Sequence, residues 1–402
     1  NPRPWSSAAS DVYKRQGLNV VRTAHYPQDD ALLDACDELG ILVYEEAPTW
    51  IAISQDPQWY ANLEAATRIM IRNHRNHPSV VIWGAGINHR GYVPESVLAC
   101  KQEDPTRLTA SQSSRWTGWQ TSGLSDIFAN MMYGGGIWNR SEPLLAMEGG
   151  RGAKVIAGYI RDPLKTGMIS WTAHAYYTFH LGAHLEDRTR SGMMTVFRHP
   201  KPGVMWYPSE FTTTPYLHIE NQWTPDIETL TVYSNAEEVE LTVNGRPFMR
   251  QSPSEDEAYH GLDHPPFLFP IDSFEAGTLE ARGILDGQVI ATRTIHTPGA
   301  PHHVQLKMDL QDRSLVADGS DIVVGHAFIV DKNGTNCREA QQEIRFTVSG
   351  PGSVVGDGAA IGANPVSTRN GMAPVLIRAG TTPGEITVTA QTDGLLAGSA
   401  SM

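Results

Sequence analysis

From Gly17 to about Pro208 the chain alternates short apolar runs with longer amphipathic stretches. Gly17–Ala24 (GLNVVRTA) is a bounded run rich in β-branched residues, which predicts a buried strand. Asp29–Leu39 follows with apolar residues at helical spacing and Gly40 as its stop. Ile41–Glu45 predicts the next strand, and Tyr60–Asn76 the next helix. The same patterns mark Ser79–Gly84, Arg107–Ala110, Asp126–Ala129, Leu144–Met147 and Met168–Trp171 as strands, with helices at Pro94–Gln102 and Ala153–Ile160. Strands separated by helices imply a parallel sheet. After Ser209 the period becomes two, as in Thr229–Ser234 and Val239–Val243, with the hairpin turn Asn244-Gly245 next. That pattern resumes at His303–Met308, Ile322–Val330, Glu343–Val348 and Glu385–Ala390.

Polar residues decide which kind of parallel sheet this is. The predicted strands end in Arg22 and His25, Glu45 and Glu46, Asn88 and His89, Tyr133, Glu148 and Trp171. In a (β/α)8 barrel the active site gathers from the C-terminal ends of many strands, whereas an open doubly wound sheet uses one switch point. No glycine-rich phosphate loop is present. The expected fold is therefore α/β plus all-β: an incomplete (β/α)8 TIM barrel over residues 17–213, then immunoglobulin-like β-sandwich domains over 214–300 and 301–402. Seven strands are legible where a barrel needs eight, and the missing one is expected before Gly17. Residues 1–16 resemble a non-native junction and are set apart.

Composition narrows the function. Forty per cent apolar residues among 402 suit two or three globular domains. A net charge of -13 argues against a nucleic-acid partner. No run approaches the length needed to span a membrane, so no membrane partner is expected. Cys36, Cys100 and Cys337 are too few and too scattered for a disulfide framework or a metal knuckle. His174 and His180 lack ligand spacing with an acid, so no metal or other cofactor is expected.

Four segments resemble glycoside hydrolase family 2, the clan of β-galactosidase and β-glucuronidase. They are Gly17–Pro27, Arg72–Trp83 (RNHRNHPSVVIW), Asp104-Pro-Thr-Arg107 and Phe197–Pro202. Ser314–Gly319 and Val348–Gly352 are similar to C-terminal modules of bacterial β-galactosidases, so the resemblance covers about residues 17–402. It implies retaining hydrolysis of terminal β-linked sugars on an oligosaccharide; the sequence leaves the location open, with a periplasmic or secreted bacterial one preferred to a cytoplasmic one. Glu148 in Pro143-Leu-Leu-Ala-Met-Glu148 stands where the family has its nucleophile. Asn88 would hold the sugar 2-hydroxyl, Arg22, His25 and Tyr133 would bind substrate, and Trp171 would wall the pyranose. A barrel-floor ion pair with Glu45 or Glu46 is the other reading of Arg22. For Trp50, Trp83 and Trp138 core packing is preferred.

Two positions depart from the family. His89 follows Asn88 where the general-acid Glu belongs, and Ala175 stands where Asp is usual. An imidazole can donate and later accept the proton, so His89 is assigned as acid/base. The alternatives are a nearby carboxylate such as Glu95, or a weakened homologue that only binds carbohydrate. No Asn-x-Lys pair for a sugar carboxylate lies between Tyr176 and Pro202. This favours a β-galactosidase-like protein over a β-glucuronidase, although Arg188 and Arg190 leave the latter open.

Overall fold

Local signals fix where the first helices begin and end. Strand β1 (Val20–Arg22) leads to helix α1 (Asp30–Leu39), whose N-cap Asp29 accepts from Ala31 N and whose C-cap Gly40 is left-handed at φ 66°. After β2 (Leu42–Glu46), α2 (Pro57–His74) starts three residues before Tyr60. Asp56 caps it and Pro57 fits the first turn, where no amide donor is needed. Then follow β3 (Val80–Ala85), α3 (Pro94–Glu103), β4 (Leu108–Ser113), β5 (Ile127–Met131), β6 (Leu144–Gly149), α4 (Ala153–Ile160) and β7 (Lys165–Ser170). This computed structural model describes residues 14, 16–50, 54–86, 94–113, 123–131, 142–163, 165–179, 185–188, 192–310, 314–355 and 364–402.

The seven strands form one parallel sheet in sequence order, and β1 comes round beside β7. The sheet is a nearly closed barrel. Alternation along β2 sorts its side chains: Tyr44 joins the inner cluster with Ala110, Ala129, Leu145 and Met147. Val43 faces outward into the layer of Leu33, Leu63, Met70, Ile71 and Trp83. The outer layer is stapled by Asp104, which accepts from Trp83 Nε1 at 3.1 Å and from Arg107 Nη1 at 2.5 Å. Arg107 also donates to the carbonyls of Val80 and His77. Burial opposes ionisation of Asp104, but these donors and Thr106 outweigh it and hold its carboxyl down at about 2.

Beyond the barrel all pairing in the named sheets is antiparallel. Sheets of three and four strands enclose Trp223, Leu230, Val232, Leu241, Phe267 and Phe269. Trp223 is wholly buried, with its indole donating to Glu275 O at 2.8 Å. A further pair of four-stranded sheets encloses Val323, Ile329, Ile344, Phe346, Ile377 and Val388. Each such side chain contributes roughly 1.5–3 kcal/mol by leaving water. Asn244 and Gly245 both take positive φ, 52° and 76°, and turn Glu238–Val243 into Arg246–Gln251. Elements beyond those expected from the sequence include a hairpin of Tyr176–Phe179 with Leu185–Arg188, a short helix at Tyr207–Phe211, and the sandwich strands Thr278–Leu285, Gln288–His296 and Met372–Ala379.

The barrel is joined to both sandwiches. Trp206 and Tyr207 stack at 4.8 Å and pack with Tyr259 and Leu262. The loop carrying Phe197–Pro202 meets the final sandwich, where His326 Nε2 donates to Phe197 O at 2.9 Å.

Candidate active site

Arg22 ends β1, Glu46 ends β2, Glu148 lies next to the end of β6 and Trp171 follows β7. All four therefore sit at the carboxyl edge of the barrel. β1 pairs with β2 so that Arg22 lies opposite Tyr44, and Thr23 Oγ1 accepts from Glu46 N at 3.1 Å. Gly84 of β3 makes room for this corner. A Cβ there would fall 2.6 Å from the Tyr44 ring and 2.9 Å from Glu46 Cγ.

The guanidinium of Arg22 is shared between two carboxylates. Nη1 donates to Glu148 Oε1 at 2.7 Å and to Met147 O at 3.2 Å, while Nε and Nη2 form a fork on Glu46. Arg22, Glu46 and Glu148 are 8%, 1% and 1% exposed. Burial works against the arginine's charge, but Glu46 and Glu148 prevail and raise its pKa, so it stays cationic. The two readings of Arg22 thus hold together: it pairs with Glu46 and also positions Glu148.

Glu45 does not belong to this cluster. One residue earlier on β2, it points into the helix layer, where its Oε1 meets His74 Nδ1 at 2.6 Å. Burial raises its pKa against the opposing pull of His74.

His25 completes the polar corner. Its Nδ1 lies 3.2 Å from Arg22 Nη2, and a guanidinium can only donate. Nδ1 is therefore the acceptor in this contact, which places the ring N–H at Nε2. The ring stacks on Trp171 at 5.4 Å and on Trp50 at 6.0 Å. Trp171 Nε1 donates to Tyr176 OH at 3.0 Å, and the Arg22 guanidinium lies 5.9 Å from the Trp171 ring.

Of the predicted site residues, the structure brings together Arg22, His25, Glu148 and Trp171. Asn88, His89 and Tyr133 lie outside the described residues, as do Trp138, His180, Arg190 and the side chain of Arg188. Glu95 opens α3, is exposed, and has no contact with the cluster among the described residues. Ala175 is buried, and its amide donates to Met194 O at 2.8 Å. Burial and the charge of Arg198 push the His174 imidazole down to about 4. Glu46 was legible only as a floor partner, although alternation from Tyr44 gives its direction. Trp50, read as packing, is 46% exposed.

Asp34, Asp37 and His77 converge on the helix side with metal-compatible spacing. They are not part of this cluster: Asp37 Oδ2 meets His77 Nδ1 at 2.7 Å and its Oδ1 accepts from Ser79 N at 2.8 Å. A cavity of about 370 Å³ in the final sandwich is lined by Leu315, Pro351, Ile386 and Met402 and has no titratable side chain in its lining.

A parallel barrel with acids, an arginine and a tryptophan at its carboxyl edge defines the class of (β/α)8 barrel proteins that carry a site at that edge. Residues 7–215 match the TIM barrel domain of glycosyl hydrolases family 2, and residues 306–401 match C-terminal domain 5 of the same family. The chain belongs to glycoside hydrolase family 2. Residues 227–291 match a domain of unknown function. A β-galactosidase of Thermoanaerobacter pseudethanolicus is 29% identical over 434 aligned positions, covering 95% of this chain and 56% of that protein. A β-glucuronidase of Formosa agariphila is 23% identical, covering 94% and 43%. Among solved structures, a family 2 β-glucuronidase superposes with a TM-score of 0.80 at 20% identity, covering 100% of this chain and 46% of that one. A family 2 member from Bacteroides cellulosilyticus gives 0.78 at 22%, covering 99% and 58%. The chain spans about half the length of the curated relatives it matches.

Proposed function

We propose that this chain carries the catalytic barrel of a retaining β-glycosidase, β-galactosidase-like in specificity, acting on terminal sugars of oligosaccharides. The observation that carries this reading is Glu148, buried at the barrel's carboxyl edge and held by Arg22 at 2.7 Å beside Trp171. Glu148 attacks the anomeric carbon and displaces the aglycone oxygen, forming a glycosyl ester. His89 gives its proton to that oxygen, then takes one from the water that releases the sugar. Asn88 binds the 2-hydroxyl, the Nε2–H of His25 and Tyr133 bind other hydroxyls, and Trp171 lines the apolar face of the ring.

Relatives named β-galactosidase and β-glucuronidase both support a β-glycosidase. A slow-turnover 2-fluorogalactoside should label Glu148, and labelling of Glu46 would overturn its role. Hydrolysis of aryl glucuronides in preference to aryl galactosides would move the specificity. His89→Ala should slow disaccharides by about 10²–10⁴-fold and affect activated aryl glycosides far less, because their leaving groups depart without a proton. A second reading, a carbohydrate-binding homologue, is favoured by the His89 substitution itself. It gains if the parent ignores disaccharides and His89→Glu cleaves them.

A further inference from the structure

Ring stacking continues outward from the catalytic cluster. Glu148 and Arg22 are buried, the His25 side chain is 14% exposed, and Trp50 beyond it is 46% exposed. Trp50 and Trp171 both stack on His25, with rings inclined by only 23° and 25° to the imidazole. Among the described residues Trp83, Trp206 and Trp223 are 0–2% exposed, and Trp59 and Trp171 are half-buried. A solitary exposed aromatic signifies little. Trp50 differs because its position is tied into the site: Ala47 N donates to Gly84 O at 2.9 Å and the Thr49 hydroxyl to Gly86 O at 2.5 Å. The indole is thus presented on a fixed backbone, next to the imidazole that contacts Arg22.

We propose that Trp50 is the platform for the sugar unit on the leaving side, one ring outward from the sugar that Glu148 attacks. This rests on the glycosidase reading and adds a specificity-determining residue to it. The axial C–H groups of a pyranose carry partial positive charge and match the negative face of an indole, while its equatorial hydroxyls stay in water. Such a surface favours β-linked pyranoses, whose flat faces are accessible, over branched or charged units. An aryl aglycone offers the same flat face and competes for the same place.

The test compares parent, Trp50→Ala and Trp50→Phe on three substrates of the sugar that aryl-glycoside screening selects. These are the glycosyl fluoride, which has no aglycone ring, the β-linked disaccharide and the nitrophenyl glycoside. The ratio of kcat/KM on disaccharide to that on fluoride should fall about tenfold in Trp50→Ala and recover largely in Trp50→Phe. The nitrophenyl ratio should fall with it. An unchanged disaccharide ratio would overturn the platform, and a fall confined to the nitrophenyl glycoside would assign Trp50 to aryl groups instead. Should the parent cleave none of the three, the glycosidase reading fails separately. Calorimetric titration then decides: Trp50→Ala must weaken binding of the disaccharide about tenfold relative to the monosaccharide, and equal weakening overturns the proposal.

Discussion

The barrel holds two arginine clusters, one buried at Arg22 and one half-buried at Arg107, that differ in charge balance. Arg107 has one carboxylate, Asp104, and its remaining donors go to the Val80 and His77 carbonyls. Arg22 has two, Glu46 and Glu148, at the opposite, carboxyl edge of the sheet. The first is a closed staple in which each ion has one oppositely charged partner among the described residues. Among the described residues the second sets two carboxylates against one arginine, so the arginine remains paired when one of them engages a substrate. Barrels generally divide their labour this way, with chemistry at the carboxyl edge and stability elsewhere.

The comparison breaks most sharply at Glu148. Glu148→Gln should lower turnover of an aryl glycoside by about 10⁴-fold or more, while denaturant unfolding shifts by less than about 1 kcal/mol, because Arg22 keeps Glu46. Asp104→Ala should show the reverse, about 3 kcal/mol lost in urea unfolding with kcat/KM of the folded fraction unchanged. Glu46→Gln falls between them. It leaves Arg22 paired with Glu148 but loosens its fork, so kcat should drop about tenfold with stability nearly kept. Equal stability losses in Glu46→Gln and Asp104→Ala would erase the distinction between the clusters. Acid titration gives a further contrast. The folded Asp104 carboxyl lies at about 2, below its unfolded value. Its contribution is complete above about pH 4 and is lost as pH falls toward 2, about 2 kcal/mol that Asp104→Asn should remove from the acid limb of a stability–pH curve.

What could be read from the chain was what is encoded locally. Asp29 and Gly40 bracket α1, and Asn244-Gly245 specifies a turn, because each acts within a few residues. The parallel barrel was legible because its acids, arginine and tryptophan recur at strand ends. Distinguishing Glu45 from Glu46 needed the phase of β2: the pair is adjacent in sequence, yet one meets His74 and the other Arg22. The core-packing expectation does not hold for Trp50, because an indole after a strand looks alike in sequence whether covered or open. Its exposure depends on what the other loops leave uncovered. Asp104-Pro-Thr-Arg107 resembled a family motif without saying why, and its donors reveal a stapling role. The hairpin after Trp171 leaves little trace in the sequence because its strands, Tyr176–Phe179 and Leu185–Arg188, are only four residues each.

β1 spans three residues, and among the described residues its ladder runs to β2 alone. Arg22 is its last member, so the segment holding the arginine has little backbone bonding of its own. Its amide hydrogens should exchange through local opening well below the free energy of global unfolding. The three-way contact of Arg22, Glu46 and Glu148 works as the latch on that opening. A ligand that engages the carboxylates or stacks beside Trp171 should slow deuterium uptake at Val20–Arg22, making this short strand a reporter of site occupancy.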